Sequence, residues 1–239
     1  MLKSSPLLPA NTWLDELVRQ IERVRSSMDP EAVHRMRVSA GRLSVWLELG
    51  ARRALRDDLR HLRRAAAAVR DLDVLSAREC DSAWAETLRQ ERAEESARLR
   101  TAMESHSVEA LIDGLSLVPE PDAVCVRSAI QRFKRRVQRA GDRLDDGEGR
   151  ERALHRLRRR LRRLRYALEW MGAETAELRD LQEHLGGLND LAVEAEKLEA
   201  RSGDFALESR RQSVRHEMDE RREKALAAWR ELRPRIGEF

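Results

Sequence analysis

The stretch from residue 150 to residue 171 constrains the fold most strongly, because leucine recurs every third or fourth residue and arginine fills most positions between. Residues 150–165 contain nine arginines, one histidine and one acid. At about 100° per residue, the leucines share one face of a helix, and a stripe about 80° wide lies beside them. That stripe consists of His155, Arg158, Arg162, Arg165 and Glu169. The pattern predicts an amphipathic helix with cations at the core boundary, and Arg156, Arg159, Arg160 and Arg163 on solvated surface.

A second copy of this pattern lies upstream. Residues 32–37 match residues 153–158, and the same register pairs Arg42 with Arg163, Leu43 with Leu164 and Glu48 with Glu169. After a shift of two residues, a second block at 69–74 matches 188–193. Two ordered matches indicate an internal duplication.

The composition favours an all-α fold, since Arg, Leu, Ala and Glu are abundant and aromatic residues make up only 4%. We predict two pseudo-symmetric four-helix bundles, at about 11–110 and 120–235, after a flexible leader at 1–10. The eight expected helices begin near Asn11, Pro30, Leu55, residue 81, Asp122, Arg150, Thr175 and residue 205. Gly114, Pro119 and Pro121 suggest a connection over 107–122, Asp145 to Gly149 suggest a turn, and Gly186-Gly187 are expected to weaken or bend their helix.

Positive charge is concentrated locally, although the formal net charge is only +4. Residues 127–139 contain six cations and no acid. Such segregation can attract a polyanion. A simpler hypothesis is that arginine merely decorates the helices.

Several classes of protein are disfavoured. Cys80 and Cys125 have no CxxC spacing, so we expect neither a disulfide scaffold nor a metal site. No run of 18 apolar residues and no secretory signal occurs in the sequence, and we expect a cytoplasmic protein without a membrane segment. The Walker, GxSxG and HExxH motifs are missing as well.

Four motifs resemble the CHAD family, the conserved histidine α-helical domain. They are Val33–Val38 (VHRMRV), Arg70–Leu75 (RDLDVL), Leu154–Glu169 and Leu181–Asp190 (LQEHLGGLND). The resemblance implies two helical bundles whose histidines and basic residues line a cationic cavity that binds inorganic polyphosphate. The first repeat departs from the pattern, because Gly41 and Ser44 replace the counterparts of Arg162 and Arg165. We therefore expect a lopsided site.

The candidate polyphosphate ligands are cationic side chains of both repeats. They are His34, Arg37, Arg42, His155, Arg158, Arg162 and Arg165. Arginine suits a phosphate polymer because its planar guanidinium donates paired, charge-assisted hydrogen bonds at every physiological pH. An alternative hypothesis is that the two histidines are buried and form hydrogen bonds with backbone groups. Four acids are expected to orient the basic residues: Glu48 beside Arg52, Glu169 beside Arg165, and Asp71 and Asp190 across the bundle. No metal or other cofactor is expected.

The favoured interpretation is a polyphosphate-binding module without catalysis of its own, located in the cytoplasm or at polyphosphate granules. Binding of nucleic acid is a second hypothesis, because arginine-rich helices neutralise phosphates generally. The few, scattered aromatic residues disfavour it. A third hypothesis is an accessory subunit of a polyphosphate-processing enzyme, and a fourth is a plain helical scaffold.

Overall fold

The computed structural model describes residues 10–78, 82–144, 150–201 and 207–239. Every regular element in these ranges is helical, which confirms the predicted all-α class. The α-helices are α1 (Asn11–Ser27), α2 (Pro30–Leu49), α3 (Arg56–Ala65), α4 (Ala67–Ser76), α5 (Ser82–Met103), α6 (His106–Ser116), α7 (Ala123–Asp142), α8 (Arg150–Trp170), α9 (Ala176–Glu199) and α10 (Glu208–Leu232). A short 3-10 helix, Arg233–Gly237, follows α10.

The chain divides into two compact units, with the boundary inside α7. Unit 1 ends at Ala129, and unit 2 begins at Ile130. In unit 1, α2 packs against α1, α3 and α4. In unit 2, α9 packs against both α8 and α10.

Local signals explain several helix ends. The Asp29 carboxylate accepts a hydrogen bond from the backbone N–H of Glu31, and Pro30 is the first residue of α2. This is a typical helix N-cap, with proline in the first turn. Gly172 follows α8 with φ +67°, a left-handed conformation that glycine adopts without steric penalty. The predicted start of α2 near Pro30 is therefore confirmed.

Two predictions about the helices are wrong. The third predicted helix breaks at Ala66 into α3 and α4. Residues 106–116 form α6 instead of a connection, because Val108, Leu111 and Leu115 recur with helical spacing and are buried. Helix α9 continues through Gly186-Gly187, and the expected weakening or bending at these glycines stays a prediction. The predicted set of eight helices is therefore incomplete, and the predicted leader and the turn at 145–149 fall outside the described residues, apart from Ala10.

The leucine face of α8 is buried as predicted. Leu157, Leu161 and Leu164 have no exposed surface, and Leu154 and Leu168 are also in the core. Burying a leucine side chain contributes about 1.5–3 kcal/mol, so this row fixes the rotation of α8 about its axis. The rotation in turn determines which arginines face solvent.

Candidate functional site

The predicted cationic stripe begins on a partly exposed face of α8. His155 is exposed, and Arg158 and Arg162 are half-buried beside the leucine row. Within the described residues, no carboxylate forms an ion pair with Arg162. These three side chains form the group that we call the α8 face.

Asn189 of α9 holds two members of the α8 face. Its Oδ1 atom lies 3.1 Å from His155 Nδ1 and 3.1 Å from Arg158 Nη1. Because a carbonyl oxygen only accepts, His155 must donate from Nδ1. The neutral ring therefore carries its proton on Nδ1, and protonation adds a second donor at Nε2.

The surroundings of His155 disfavour its charged form in the absence of a ligand. Partial burial lowers the pKa of His155, and the positive charges of Arg158, Arg159 and Arg162 lower it further. The hydrogen bond to Asn189 raises the pKa and only partly opposes these effects. An anion near Nε2 would favour the protonated ring.

Arg165, the last arginine of the predicted stripe, lies inside unit 2. Its Nη1 atom is 2.5 Å from Glu169 Oε1, and its Nε atom donates to Gln182 Oε1 at 2.9 Å. The guanidinium carbon lies 4.9 Å from the ring centroid of Tyr166. Only 8% of Arg165 is exposed. The predicted contact with Glu169 is present, and it directs Arg165 into the protein.

The arginines on the other side of α8 differ from the prediction. Arg156 and Arg159 are exposed, as expected for solvated surface. Arg160 and Arg163 are half-buried, and the guanidinium carbon of Arg163 lies 5.8 Å from the ring centroid of Phe133 on α7. The prediction of a solvated surface is therefore wrong for these two residues.

In unit 1, the predicted ligands occupy two different sides of α2. Arg37 faces α4, where its Nη1 atom lies 3.3 Å from the carbonyl oxygen of Ala67 and 3.9 Å from Asp71 Oδ1. It also donates to the carbonyl oxygen of Ala66, at the break between α3 and α4, at 3.5 Å. Arg37 thus satisfies carbonyl groups near this break.

His34 and Arg42 instead line a cleft of about 460 Å³ between α1 and α2. The guanidinium carbon of Arg42 lies 3.8 Å from the ring centroid of Trp13, a distance typical of cation–π stacking. Glu16 and Glu31 also line this cleft. The structure therefore brings His34 together with Arg42 but not with Arg37.

The predicted orienting acids have varied surroundings. Glu48 Oε2 lies 3.4 Å from Arg56 Nη2, whereas the sequence spacing suggested Arg52. Asp190 forms no ion pair with a described residue, and the preceding Asn189 makes the contacts to α8. Sequence reasoning missed Asn189, although it belongs to the LND segment that was identified.

Neither a metal cluster nor a membrane span occurs in the ranges that the structure describes. They contain no group of three or more His, Cys, Asp or Glu side chains arranged to hold a metal ion. In the same ranges, no helix combines the length and the apolar character needed to cross a membrane.

Comparison with known proteins identifies the family. Residues 10–199 match the CHAD domain. The chain belongs to the CHAD domain family. Helix α10 and the 3-10 helix of this CHAD protein lie beyond the matched range. No curated protein matches the chain.

Two solved structures have a similar fold. The first is the CHAD domain from the plant Ricinus communis, with a TM-score of 0.64 and 22% identity, covering 99% of this chain and 91% of that one. The second is PptA from Streptomyces chartreusis, with a TM-score of 0.73 and 21% identity, covering 92% of this chain and 96% of that one. At these identities the likeness concerns the fold alone.

Proposed function

We propose that this CHAD protein binds inorganic polyphosphate through the α8 face and performs no catalysis of its own. The observation that carries the proposal is the row of His155, Arg158 and Arg162, two of which share Asn189 as a hydrogen-bond partner. Membership of the CHAD family supports the same ligand class.

The α8 face suits a regular polyanion. From His155 to Arg162 the helix rises about 10 Å, enough to contact several successive phosphates. The aliphatic stems of Arg158 and Arg162 are half-buried, so these side chains lose less conformational entropy when they bind a ligand. Phosphate oxygens would accept from the guanidinium groups and from protonated Nε2 of His155.

The proposed duplication rests on equivalent contacts in the two units. The repeat alignment pairs Arg42 with Arg163, and each guanidinium lies over an aromatic ring of the preceding helix, Trp13 in α1 or Phe133 in α7. Arg37 also contacts Asp71 of α4, and its counterpart Arg158 contacts Asn189 of α9, which is the neighbour of Asp190, the counterpart of Asp71. We infer that the two units arose by duplication and that they contribute unequally to binding of polyphosphate. In this proposal His34 and Arg37 of unit 1 contribute less to the affinity than the α8 face of unit 2.

A binding role without hydrolysis agrees with the charges on α8. Metal-assisted phosphoryl transfer requires carboxylates that hold divalent ions, and a dense arginine cluster repels such ions. Partnership with polyphosphate granules or with polyphosphate-processing enzymes follows from the proposed ligand and belongs to the same proposal.

The proposal is tested by titrating long-chain polyphosphate into wild type and into Arg158→Gln/Arg162→Gln. The matched control is Arg89→Gln/Arg98→Gln, which removes two exposed arginines of α5 that pair with neighbouring glutamates. We expect the α8 variant to lose about tenfold in affinity, because hydrogen bonds to charged groups contribute about 1.5–3 kcal/mol each before solvent exposure is discounted. The control should lose less than about twofold, since exposed ion pairs contribute little. Equal losses in both variants would contradict a defined site.

A further inference from the structure

Two hydrogen bonds fix the register between α8 and α9. Arg165 Nε donates to Gln182 Oε1 at 2.9 Å, and Arg158 Nη1 donates to Asn189 Oδ1 at 3.1 Å. A step of seven residues back along α8 thus matches a step of seven residues forward along α9. The two helices are therefore antiparallel, and the residues between these contacts lie opposite one another.

The middle of this row pairs Arg162 of α8 with Gly186 of α9. Arg162 lies three residues before Arg165, and Gly186 lies four residues after Gln182, so each is one helical turn from the contact. On α9 a side chain is missing between Gln182 and Asn189, which are about 10 Å apart along the helix axis. We call this gap the Gly186 notch.

The Gly186 notch is open space. Apart from the adjoining part of α9, no described atom lies within 4 Å of the position that a Cβ of residue 186 would take. The side chain of Arg162 therefore does not fill the notch from the opposite helix. Gly186 and Arg162 are both half-buried, so the notch is a recess that a ligand can enter beside the guanidinium group.

Neither packing nor backbone conformation explains a glycine at residue 186. At the next residue, Gly187, a Cβ would overlap the guanidinium of Arg221, whereas Gly186 has no such neighbour. Gly172 is the only described glycine with a positive φ, so Gly186 has no conformation that other residues avoid. Glycine inside a helix costs about 0.5–1 kcal/mol relative to alanine, and one use of such a glycine is the close approach of a ligand to the backbone.

Unit 1 has different residues at both positions. The repeat alignment pairs Arg162 with Gly41, and extending its second block back by two residues pairs Gly186 with Ala67. Gly41 is buried, and the carbonyl oxygen of Ala67 lies 3.3 Å from Arg37 Nη1. The copy that lacks the arginine thus also lacks the glycine, as expected if the two residues act together.

We propose that the Gly186 notch is a phosphate subsite of the α8 face, in which one phosphate of the polyphosphate chain lies against α9 and accepts hydrogen bonds from Arg162. The inference rests on the proposed function and adds to the site a residue without a side chain. The contacts of Arg158 and Arg165 to α9 form the two ends of the subsite. A side chain at residue 186 would occupy the space of the phosphate.

The test measures the affinity for long-chain polyphosphate of Gly186→Ala and Gly186→Leu, with Ala176→Leu as the control. Ala176 is exposed at the start of α9, about 15 Å along the helix from Gly186, so the control adds the same side chain outside the row. We expect a loss of about threefold for Gly186→Ala and about tenfold for Gly186→Leu, because charge-assisted hydrogen bonds to the phosphate are weakened or lost. The control should lose less than about twofold.

Two further readouts distinguish a phosphate subsite from a structural glycine. The slope of log affinity against log salt should fall by about 0.7 in Gly186→Leu, the value for one phosphate contact on a flexible single strand. Gly186→Ala should have a higher thermal midpoint than wild type, so its weaker binding would not reflect loss of the fold. Arg162→Gln/Gly186→Leu should bind no more weakly than the weaker single variant, because both changes remove the same contact. Additive losses in log affinity would overturn the proposal.

The outcomes separate this inference from the proposed function. If Gly186→Leu binds like Ala176→Leu while Arg158→Gln/Arg162→Gln binds weakly, the subsite is overturned and the proposed function is retained. If the two leucine variants bind equally weakly, the subsite is overturned as well. If wild type does not bind polyphosphate, both proposals fail.

Discussion

Replacing Arg165 should weaken the fold of this CHAD protein more than the proposed binding of polyphosphate. The side chain of Arg165 is only 10% exposed, and that of its partner Glu169 is 18% exposed. Arg165→Ala removes the contacts to Glu169 and Gln182. Before desolvation is considered, each of these hydrogen bonds to a charged group contributes about 1.5–3 kcal/mol to the free energy of unfolding. Relief of guanidinium desolvation offsets part of this sum, so we expect a net loss of about 3 kcal/mol in the free energy of unfolding.

The assay is thermal unfolding followed by circular dichroism, together with a polyphosphate titration below the transition. For a chain of this size, about 1 kcal/mol corresponds to about 2–4 °C, so the midpoint should fall by about 6–12 °C. Arg165→Met/Glu169→Leu should recover most of the stability, because replacing a buried ion pair with apolar side chains is often neutral. Its affinity for polyphosphate should stay within about threefold of wild type, since Arg165 is buried and contributes little direct contact. A stable double variant that binds as weakly as Arg158→Gln/Arg162→Gln would refute this reasoning.

Four further predictions concern α8, α9 and a close helix contact. Asn189→Leu should lower the affinity for polyphosphate about tenfold, because His155 and Arg158 lose their common acceptor. Unchanged binding in a titration would contradict that role. Polyphosphate should bind wild type more tightly at pH 6 than at pH 8, because the pKa of His155 is lowered in the free protein and the bound anion favours the protonated ring. Titrations across this pH range should show a smaller change in affinity for His155→Gln. Gly141→Ala should reduce the free energy of unfolding by about 1–3 kcal/mol, since a Cβ there would overlap the ring of Trp229. Chemical denaturation should show the opposite change for Gly186→Ala, by about 0.5–1 kcal/mol, where a Cβ has open space.

The spacing of leucines in α8 predicted its buried face, because hydrophobic burial determines how an amphipathic helix is oriented about its own axis. Leu157, Leu161 and Leu164 are fully buried, and His155 lies beside them at the surface. The same argument misplaced Arg160, which borders the leucine row on its other side at about 140° from His155. Angles within one helix do not reveal where the neighbouring helix packs.

Other features depended on contacts between distant residues. Asn189 and Asp190 are equally polar neighbours, and only the packing of α9 against α8 shows that Asn189 reaches His155. Gly114 suggested a loop, yet it lies inside α6 at a close approach to Leu55, where a Cβ would be 2.9 Å from a leucine methyl carbon. The run of alanines from 65 to 68 gave no signal for the break at Ala66.

The central claim is that the α8 face provides a selective site for inorganic polyphosphate. The most direct measurement is a competition titration at near-physiological salt, in which duplex DNA and single-stranded RNA compete with long-chain polyphosphate for wild type and for Arg158→Gln/Arg162→Gln. We expect polyphosphate to remain bound to wild type in the presence of both competitors, and its affinity to fall about tenfold in the variant. Equal binding of all three polymers, with a steep salt dependence and no effect of the substitutions, would indicate diffuse electrostatic attraction and contradict the claim.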